Sequence, residues 1–265
     1  MLGFAVPVVL PSELAPSIRS ARVVAIIPAR RASTRLPGKP LATIAGRPMI
    51  AHVYHRAAEA RTVEAVVVAT DDAEIAETVA GFGGTAVLTR ASHPTGTDRL
   101  AEVAAHLSSD IIVNVQGDLP FLPAEPIDAA VQLLIDDPSL PMATLRRAIT
   151  DPHERTNPSV VKVVVARDGR ALYFSRTALP FVREGHPAPE FWKHFGLYVY
   201  RRPFLLTFAE LAPTPLERAE SLEQLRALEH GFAIGTVPTT IDTVEVDTPD
   251  DLDRARRFTE AAIPN

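Results

Sequence analysis

The chain has 265 residues, of which 46% are hydrophobic and 22% are charged, and this balance is typical of a globular enzyme. Its formal net charge of −5 argues against a protein that coats nucleic acid or an anionic membrane, because such binding needs a basic surface. The sequence contains no cysteine, which excludes disulfides, cysteine-ligated zinc and thiol catalysis.

The N-terminal segment, residues 1–20, is rich in proline, serine and alanine, and we predict a loose extension ahead of one domain over residues 21–265. Its apolar run from Gly3 to Leu10 is too short to span a bilayer and follows no basic residues. We therefore expect a cytoplasmic protein.

The first half of the chain alternates β-branched runs with amphipathic segments of helical length. Strands are predicted at 23–29, 64–70, 85–89 and 111–116, and helices at about 46–60, from Asp71 or Asp72 to about Gly81, and at 97–107. This alternation predicts a single α/β domain with a mixed, mostly parallel sheet flanked by helices.

After Pro141 the pattern changes to extended runs, and two helical patterns close the chain. Strands are predicted at 142–149, 160–166, 171–175, 195–200 and 233–237, a hairpin turn at Asp168-Gly169, and helices at 215–230 and 249–262.

A basic loop follows the first predicted strand in the sequence PARRASTRLPGKP. It holds Arg30, Arg35 and Lys39 together with Ser33 and Thr34, at the sheet edge where open α/β proteins bind ligands. Three cations and small polar groups suit a polyphosphate, with the lysine near the scissile phosphate. The spacing is not that of a Walker loop. The alternative is a solvated basic loop.

Two isolated aspartates are candidate ligands for a hard cation such as Mg²⁺. Asp118 ends the strand IIVNV in the sequence QGD, and the alternative there is a turn or cap residue. Asp247 precedes a helix whose start is explained by Thr248 and Asp251, so its own carboxylate has no structural role in the pattern.

Polar residues of the second half are less specific. His194 and Tyr198 lie four apart in an extended run and share one strand face, although a core role is a strong alternative. Glu223 and Gln224 lie on a helix whose other face is rich in leucine, where the alternative is a solvated surface.

Several motifs in chain order resemble the 3-deoxy-manno-octulosonate cytidylyltransferase (CMP-Kdo synthetase) family. They are PARRASTRLPGKPL, ATDD, TGTDRLAEV, VNVQGD, ALYFSR, KHFGLYVYRR, PLERAESLEQLR and VDTPDDL. The resemblance implies a Rossmann-like fold of the nucleotide-diphospho-sugar transferase type, a homodimer and dependence on Mg²⁺. It also implies transfer of CMP from CTP to Kdo for lipopolysaccharide biosynthesis.

The resemblance further implies residue roles. CTP would be bound by Arg30, Arg35, Lys39, Ala69, Thr70, Thr95, Gly96, Arg99 and Gln116. Mg²⁺ would be held by Asp118 and Asp247. The catalytic set would consist of these two aspartates together with Lys39 and Arg30. The sugar acid would be bound by Arg176, His194, Tyr198, Glu223 and Gln224.

Three departures from the family pattern leave the acceptor open. Leu119 stands where QGDEP is usual, Glu245 stands where glycine is common, and Val199 replaces a small residue. One alternative is a cytidylyltransferase for another 2-keto sugar acid or anionic acceptor. A glycosyltransferase would need Asp71-Asp72 as its metal motif, and a non-catalytic nucleotide-binding protein would have no need of the lysine and both aspartates.

Overall fold

A computed structural model describes residues 8–31, 35–242 and 245–261. The first seven residues of the N-terminal segment, and Ser33 and Thr34 of the basic loop, lie outside the described residues. The described chain forms two compact units. The sequence analysis predicts one domain over residues 21–265. The first comprises the chain up to Asp128 and the segment after Asp242, and the second comprises Ala129–Asp242.

The strands, in chain order, are β1 (Val8–Val9), β2 (Val23–Ala29), β3 (Thr43–Ile44), β4 (Arg47–Pro48), β5 (Ala65–Thr70), β6 (Thr85–Leu88), β7 (Ile111–Asn114), β8 (Met142–Ala148), β9 (Lys162–Val165), β10 (Ala171–Ser175), β11 (Trp192–Arg201) and β12 (Ile234–Thr239). The helices are α1 (Pro16–Arg19), α2 (Met49–Ala58), α3 (Ala73–Gly81), α4 (Gly96–Ala104), α5 (Ala124–Asp136), α6 (Pro152–Thr156), α7 (Arg202–Glu210), α8 (Pro215–Glu220), α9 (Gln224–Glu229) and α10 (Pro249–Ala261). No helix of the described residues is long and apolar enough to cross a membrane.

The first unit is built on a parallel sheet in the order β1-β6-β5-β2-β7. Its central strand β2 is buried along almost its whole length, as a β-branched run in a doubly covered sheet should be. In the second unit β8 pairs antiparallel with β11 and parallel with β12. The prediction of a mixed, mostly parallel sheet flanked by helices is confirmed.

The prediction of a loose N-terminal extension is corrected for residues 8–20. Strand β1 pairs in parallel with β6 and covers its edge, while Leu14 is buried. Further along, Ser108 donates its backbone N–H to the carbonyl of Arg19 at 2.8 Å. A strand of two residues is too short to show a period in the sequence, so only tertiary pairing identifies it.

The second unit confirms the hairpin at Asp168-Gly169, where Gly169 has a φ of +87° between antiparallel β9 and β10. The helix predicted at 215–230 is instead two short helices, α8 and α9, separated at Ser221, which has a φ of 52°. Helices α5 and α7 were not predicted. Each carries a proline in its first turn, a position that helices tolerate.

Candidate active site

A cavity of about 300 Å³ lies in the first unit, beyond the carboxyl ends of β2 and β7. Ligands of open α/β sheets bind at this edge. The cavity is lined by Pro28, Ala29, Arg30, Arg35, Lys39, Pro40, His93, Thr95, Gly96, Arg99, Gln116, Gly117, Asp118 and Asp247. The structure thus brings both predicted metal ligands together with most of the residues that the resemblance assigns to CTP.

Two of the residues assigned to CTP do not line this cavity. Ala69 and Thr70 are buried at the end of β5, in register with Pro28 and Ala29 of β2. The hydroxyl of Thr70 accepts the backbone N–H of Asp72 at 3.1 Å. These two residues therefore support the strand end that forms the cavity wall.

Lys39 is the centre of the site. Gly38, with a φ of +70°, allows the tight turn after which Lys39 begins a 3-10 turn. The Lys39 ammonium lies 3.0 Å from Asp118 Oδ2 and 2.9 Å from Asp247 Oδ1, and its side chain is only 14% exposed. Burial alone would lower the pKa of Lys39, but the two carboxylates raise it above its ordinary value, so the ammonium remains charged.

The chain brings the two aspartates together through Val246. The backbone N–H of Val246 donates to the carbonyl of Asp118 at 3.0 Å, and the valine side chain is buried against Ile44, Met49 and Leu252. The next residue, Asp247, therefore lies at the cavity wall. The apolar packing of the C-terminal segment thus positions a charged residue.

The carboxylate of Asp247 is not the helix cap. Thr248 caps α10, because its hydroxyl accepts the N–H of Asp251 at 3.2 Å, and Asp251 Oδ2 accepts the N–H of Thr248 at 2.9 Å. The side chain of Asp247 instead contacts Lys39 and, at 3.0 Å, the guanidinium of Arg35. The cap predicted from the sequence is confirmed.

Arg99 lines the cavity but is already paired. Its buried guanidinium lies 3.2 Å from Asp71 Oδ2 and also donates to the hydroxyl of Thr89. Asp72, the neighbour of Asp71, caps α3 by accepting the N–H of Ile75 at 3.0 Å. Both aspartates of the alternative glycosyltransferase motif therefore have structural roles, which argues against that reading.

His93 lines the cavity and was missed by the sequence analysis. Its Nε2 contacts the Glu102 carboxylate, which also accepts the backbone N–H of Arg90 at 3.0 Å. The only available signal was a histidine two residues before Thr95, the cap of α4. A lone histidine in a loop does not distinguish a cavity residue from a surface residue.

A family model described as cytidylyltransferase matches residues 24–237. The chain belongs to the cytidylyltransferase family. A relative from Pelobacter propionicus named 3-deoxy-manno-octulosonate cytidylyltransferase is 56% identical over 244 residues, which cover 88% of this chain and 96% of the relative. Another of that name, from Solibacter usitatus, is 48% identical over 242 residues, covering 91% and 96%.

Solved structures also match this chain. The structure of a CMP:2-keto-3-deoxy-manno-octonic acid synthetase complexed with CTP has a TM-score of 0.88 and 44% identity, covering 91% of this chain and 100% of that chain. A putative glucose-1-phosphate thymidylyltransferase from Bacillus anthracis, at a TM-score of 0.64 and 16% identity, covering 92% and 97%, shares the fold alone. The family resemblance predicted from the motifs is confirmed, and this cytidylyltransferase is a nucleotidyltransferase enzyme.

The second unit of the cytidylyltransferase holds the residues assigned to the sugar acid. The rings of His194 and Tyr198 are in contact, with centroids 5.4 Å apart. Desolvation lowers the pKa of His194 to about 3, so the imidazole is neutral at physiological pH. The side chain of Gln224 is buried at 4% exposure, and its Nε2 has no hydrogen-bond partner among the described residues. The Oε1 atom of Glu223 lies 3.5 Å from Nη2 of Arg226.

The guanidinium of Arg176, which the resemblance assigns to the sugar acid, is partly engaged by backbone carbonyls. Its guanidinium donates to the carbonyls of Glu220 at 2.8 Å, Pro158 at 3.1 Å and Ser221 at 3.5 Å. Backbone carbonyls thus engage three of the five N–H groups of the guanidinium, and one N–H on each terminal nitrogen makes no described hydrogen bond to a carbonyl. A basic residue after a strand looks the same in sequence whether it is committed to carbonyls or open to a ligand.

The departures from the family pattern lie outside the cavity lining. Leu119 and Val199 are buried, and Glu245 is exposed. None of the three is among the cavity-lining residues of the described chain. The side chain of Leu119 belongs to the core of the described chain.

Proposed function

We propose that this cytidylyltransferase transfers CMP from CTP to the anomeric hydroxyl of 3-deoxy-D-manno-octulosonate (Kdo), which gives CMP-Kdo and pyrophosphate for lipopolysaccharide biosynthesis. One observation carries the proposal: a largely buried lysine, Lys39, bridges two carboxylates, Asp118 and Asp247, in a cavity that also contains Arg30 and Arg35. The names of the relatives at about half identity and of the structural neighbour support the choice of substrates.

The cations of the cavity suit the triphosphate. No carboxylate of the described residues pairs with Arg30, whereas Arg35 and Lys39 are paired with aspartates. We propose that all three bind phosphate oxygens, the arginines through two N–H groups each and Lys39 as a point charge close to the reacting phosphorus. The first turn of α4, reached through Thr95 and Gly96, adds the positive end of a helix dipole.

The two aspartates fit a hard divalent cation such as Mg²⁺. Their carboxylates converge on a single ammonium at 3.0 and 2.9 Å, so the protein already brings two oxygen ligands to one positive charge. No group of three or more histidine, aspartate or glutamate residues that could hold a metal occurs in the described chain. Two carboxylates completed by substrate phosphates are a usual way of binding Mg²⁺. When bound, this ion would neutralise phosphate charge and lower the pKa of the attacking hydroxyl.

The proposed reaction is an in-line displacement at the α-phosphorus of CTP. A bond forms between the anomeric oxygen of the acceptor and the α-phosphorus, the bond to the β-phosphate oxygen breaks, and the hydroxyl proton passes to solvent. Lys39 and Arg30 would stabilise the charge on the equatorial oxygens and on the departing pyrophosphate. The cavity supplies positioning and electrostatics, with no dedicated histidine base proposed.

We propose that the acceptor is bound by His194, Tyr198, Glu223 and Gln224. The unpartnered Nε2 of Gln224 supports this, because a buried donor without a partner is costly and a hydroxyl or carboxylate of the acceptor would satisfy it. The neutral imidazole of His194 has one nitrogen that can accept a hydrogen bond from a hydroxyl. Arg176 stays a prediction as an anion contact, because two of the five N–H groups of its guanidinium make no described hydrogen bond to a carbonyl.

Pyrophosphate release on mixing the protein with CTP, Mg²⁺ and candidate sugar acids tests the proposal. We expect turnover with Kdo, a phosphodiester product by ³¹P NMR, and much lower rates with ATP or GTP. Full turnover in excess EDTA would contradict the metal assignment. Turnover with a different 2-keto acid would identify another acceptor, and CTP binding without turnover on any acid would favour a non-catalytic nucleotide-binding protein.

The homodimer and the cytoplasmic location stay predictions. Light scattering would test the homodimer.

A further inference from the structure

Strand β11 is irregular beside the residues proposed to bind the acceptor. Phe195 pairs with Leu145 of β8, whereas the next paired residue, Tyr198, is opposite Thr144. Two residues, Gly196 and Leu197, are therefore accommodated between neighbouring positions of β8, which is a β-bulge. In a regular strand, residues four apart are about 13 Å apart. The bulge helps to bring the rings of His194 and Tyr198 into contact.

The side chain of Thr144 fills this bulge. Thr144 is fully buried, and its hydroxyl oxygen lies 2.7 Å from the carbonyl oxygen of Leu197 and 3.2 Å from that of Phe195. It also lies 2.9 Å from Nε2 of His194. One hydroxyl group of β8 therefore contacts the bulged backbone and the imidazole together.

A hydroxyl has a single hydrogen to donate, and this restricts the protonation of His194. Two of the three neighbours of the Thr144 oxygen are carbonyls, which can only accept, and the shorter contact, to Leu197, has the ordinary length of an O–H···O bond. The hydrogen of Thr144 thus goes to Leu197. The third neighbour, Nε2 of His194, must then donate, so it carries the imidazole hydrogen.

The ring of His194 is also held in orientation. It packs edge-to-face on Phe174, with centroids 5.1 Å apart and an interplanar angle of 80°, and it contacts Tyr198 on another side. The residue keeps a small solvent exposure, and no described residue forms a hydrogen bond with Nδ1. With Nε2 protonated and the ring neutral, Nδ1 has a lone pair that can accept a hydrogen bond.

We propose that Thr144 is a positioning residue for the acceptor, which holds His194 in the Nε2–H tautomer so that Nδ1 accepts a hydrogen bond from a hydroxyl of the sugar acid. The inference rests on the proposed role of His194 in acceptor binding. It assigns a role to a fully buried strand residue that is not among the residues proposed to bind either substrate. It also explains why a threonine occupies a fully buried position opposite the bulge.

Long-range ¹H–¹⁵N correlation spectra of the imidazole groups test the tautomer without any substrate. The chain has eight histidines, and the His194 signals are assigned by their loss in His194→Gln. We expect the Nε2–H pattern for His194 at pH 7 in the wild-type protein. Thr144→Val removes the hydroxyl at nearly constant volume, and we expect a mixture of both tautomers. Thr144→Ser keeps a hydroxyl and should restore the wild-type pattern.

Steady-state kinetics then test the consequence for the acceptor. Loss of one neutral hydrogen bond predicts a rise in acceptor KM of about fivefold to tenfold for Thr144→Val, with the CTP KM unchanged. Thr236→Val is the matched control. Thr236 is opposite Thr144 on β12 and buried. Its hydroxyl donates to the carbonyl of Gly169 at 2.6 Å and accepts a hydrogen bond from Arg146, and it makes no described hydrogen bond with His194. This control should leave both the tautomer and the acceptor KM as in wild type.

Three results would overturn the proposal: an Nδ1–H or charged imidazole in the wild type, an unchanged tautomer in Thr144→Val, or a Thr144→Ser variant as impaired as Thr144→Val. If Thr144→Val does not fold, the tautomer in the wild-type spectrum and the behaviour of Thr144→Ser still test the proposal. Absence of turnover by wild-type protein with Kdo would contradict the proposed function, whereas the spectra would still show whether Thr144 sets the tautomer.

Discussion

The two units of this cytidylyltransferase each remove one lysine from solvent, in opposite ways. In the first unit the ammonium of Lys39 contacts two carboxylates, Asp118 and Asp247, at the wall of a cavity. In the second unit Lys162 is completely buried, and its ammonium donates to the carbonyls of Asn157 at 2.9 Å and Val160 at 2.6 Å, and also to that of Arg176.

The partners decide what each charge can do. Burial lowers the pKa of both lysines, but the carboxylates around Lys39 raise its pKa, whereas the nearby Arg176 charge lowers that of Lys162 further. Carbonyl partners use all three ammonium donors and belong to the fold. In the proposed function, the carboxylates beside the cavity would hold a metal ion and the lysine would contact a phosphate. We therefore infer a functional role for Lys39 and a structural role for Lys162.

The largest effect should come from Lys39→Ala. We expect kcat to fall by on the order of 10²-fold or more, with a smaller change in acceptor KM, because a charge contact made in the transition state is lost. Arg56→Ala removes a positive charge from an exposed ion pair with Glu59 and serves as the control. Turnover of Lys39→Ala within about threefold of wild type would mean that Lys39 acts only in the fold.

A comparable loss should follow Asp247→Asn. We expect turnover to fall by on the order of 10²-fold at ordinary Mg²⁺ and to recover partly at higher Mg²⁺, because a neutral amide binds a hard dication poorly. The melting temperature should change little, since Thr248 and Asp251 cap α10. Asp250→Asn, at an exposed position of the same helix, is the control. Normal turnover with a lowered melting temperature would instead assign Asp247 to the helix start.

Lys162→Met should show the opposite pattern. The methionine keeps the volume but leaves buried carbonyls without a donor, so we expect unfolding free energy to fall by about 2–4 kcal/mol. At a temperature where the variant is folded, kcat should stay within about threefold of wild type. Denaturant unfolding and kinetics on the same preparation measure both quantities. A stable variant with strongly reduced kcat would remove the contrast between the two lysines.

The smallest effect should come from Thr248→Ala. Loss of the cap of α10 should lower the free energy of unfolding by about 1 kcal/mol, as helix caps usually do. Turnover should stay within about twofold, because the threonine contacts the helix start and Asp247 contacts the cations. If turnover falls as much as in Asp247→Asn, the cap and the metal ligand cannot be treated as separate functions.

Local sequence patterns were enough to predict the sheet, the basic loop and one helix cap of this protein. The alternation of β-branched and amphipathic runs is enough to predict a mostly parallel sheet, because strand and helix periods differ and each is visible within a few residues. The same holds for the basic loop after β2 and for the cap at Thr248, since sheet edges and caps depend on neighbouring residues. The cap also separated Asp247 from the residues that start α10.

Only the tertiary structure decided which of these residues meet. Lys39 lies 79 residues from Asp118 and 208 from Asp247, and no local pattern encodes contacts over such separations. The same reason explains why the carbonyl partners of Arg176 could not be predicted and why the two-residue strand β1 was predicted as part of a loose extension. The chemistry of a side chain follows from its type, whereas its partners follow from strand order and packing, which bring distant segments to the same edge of a sheet.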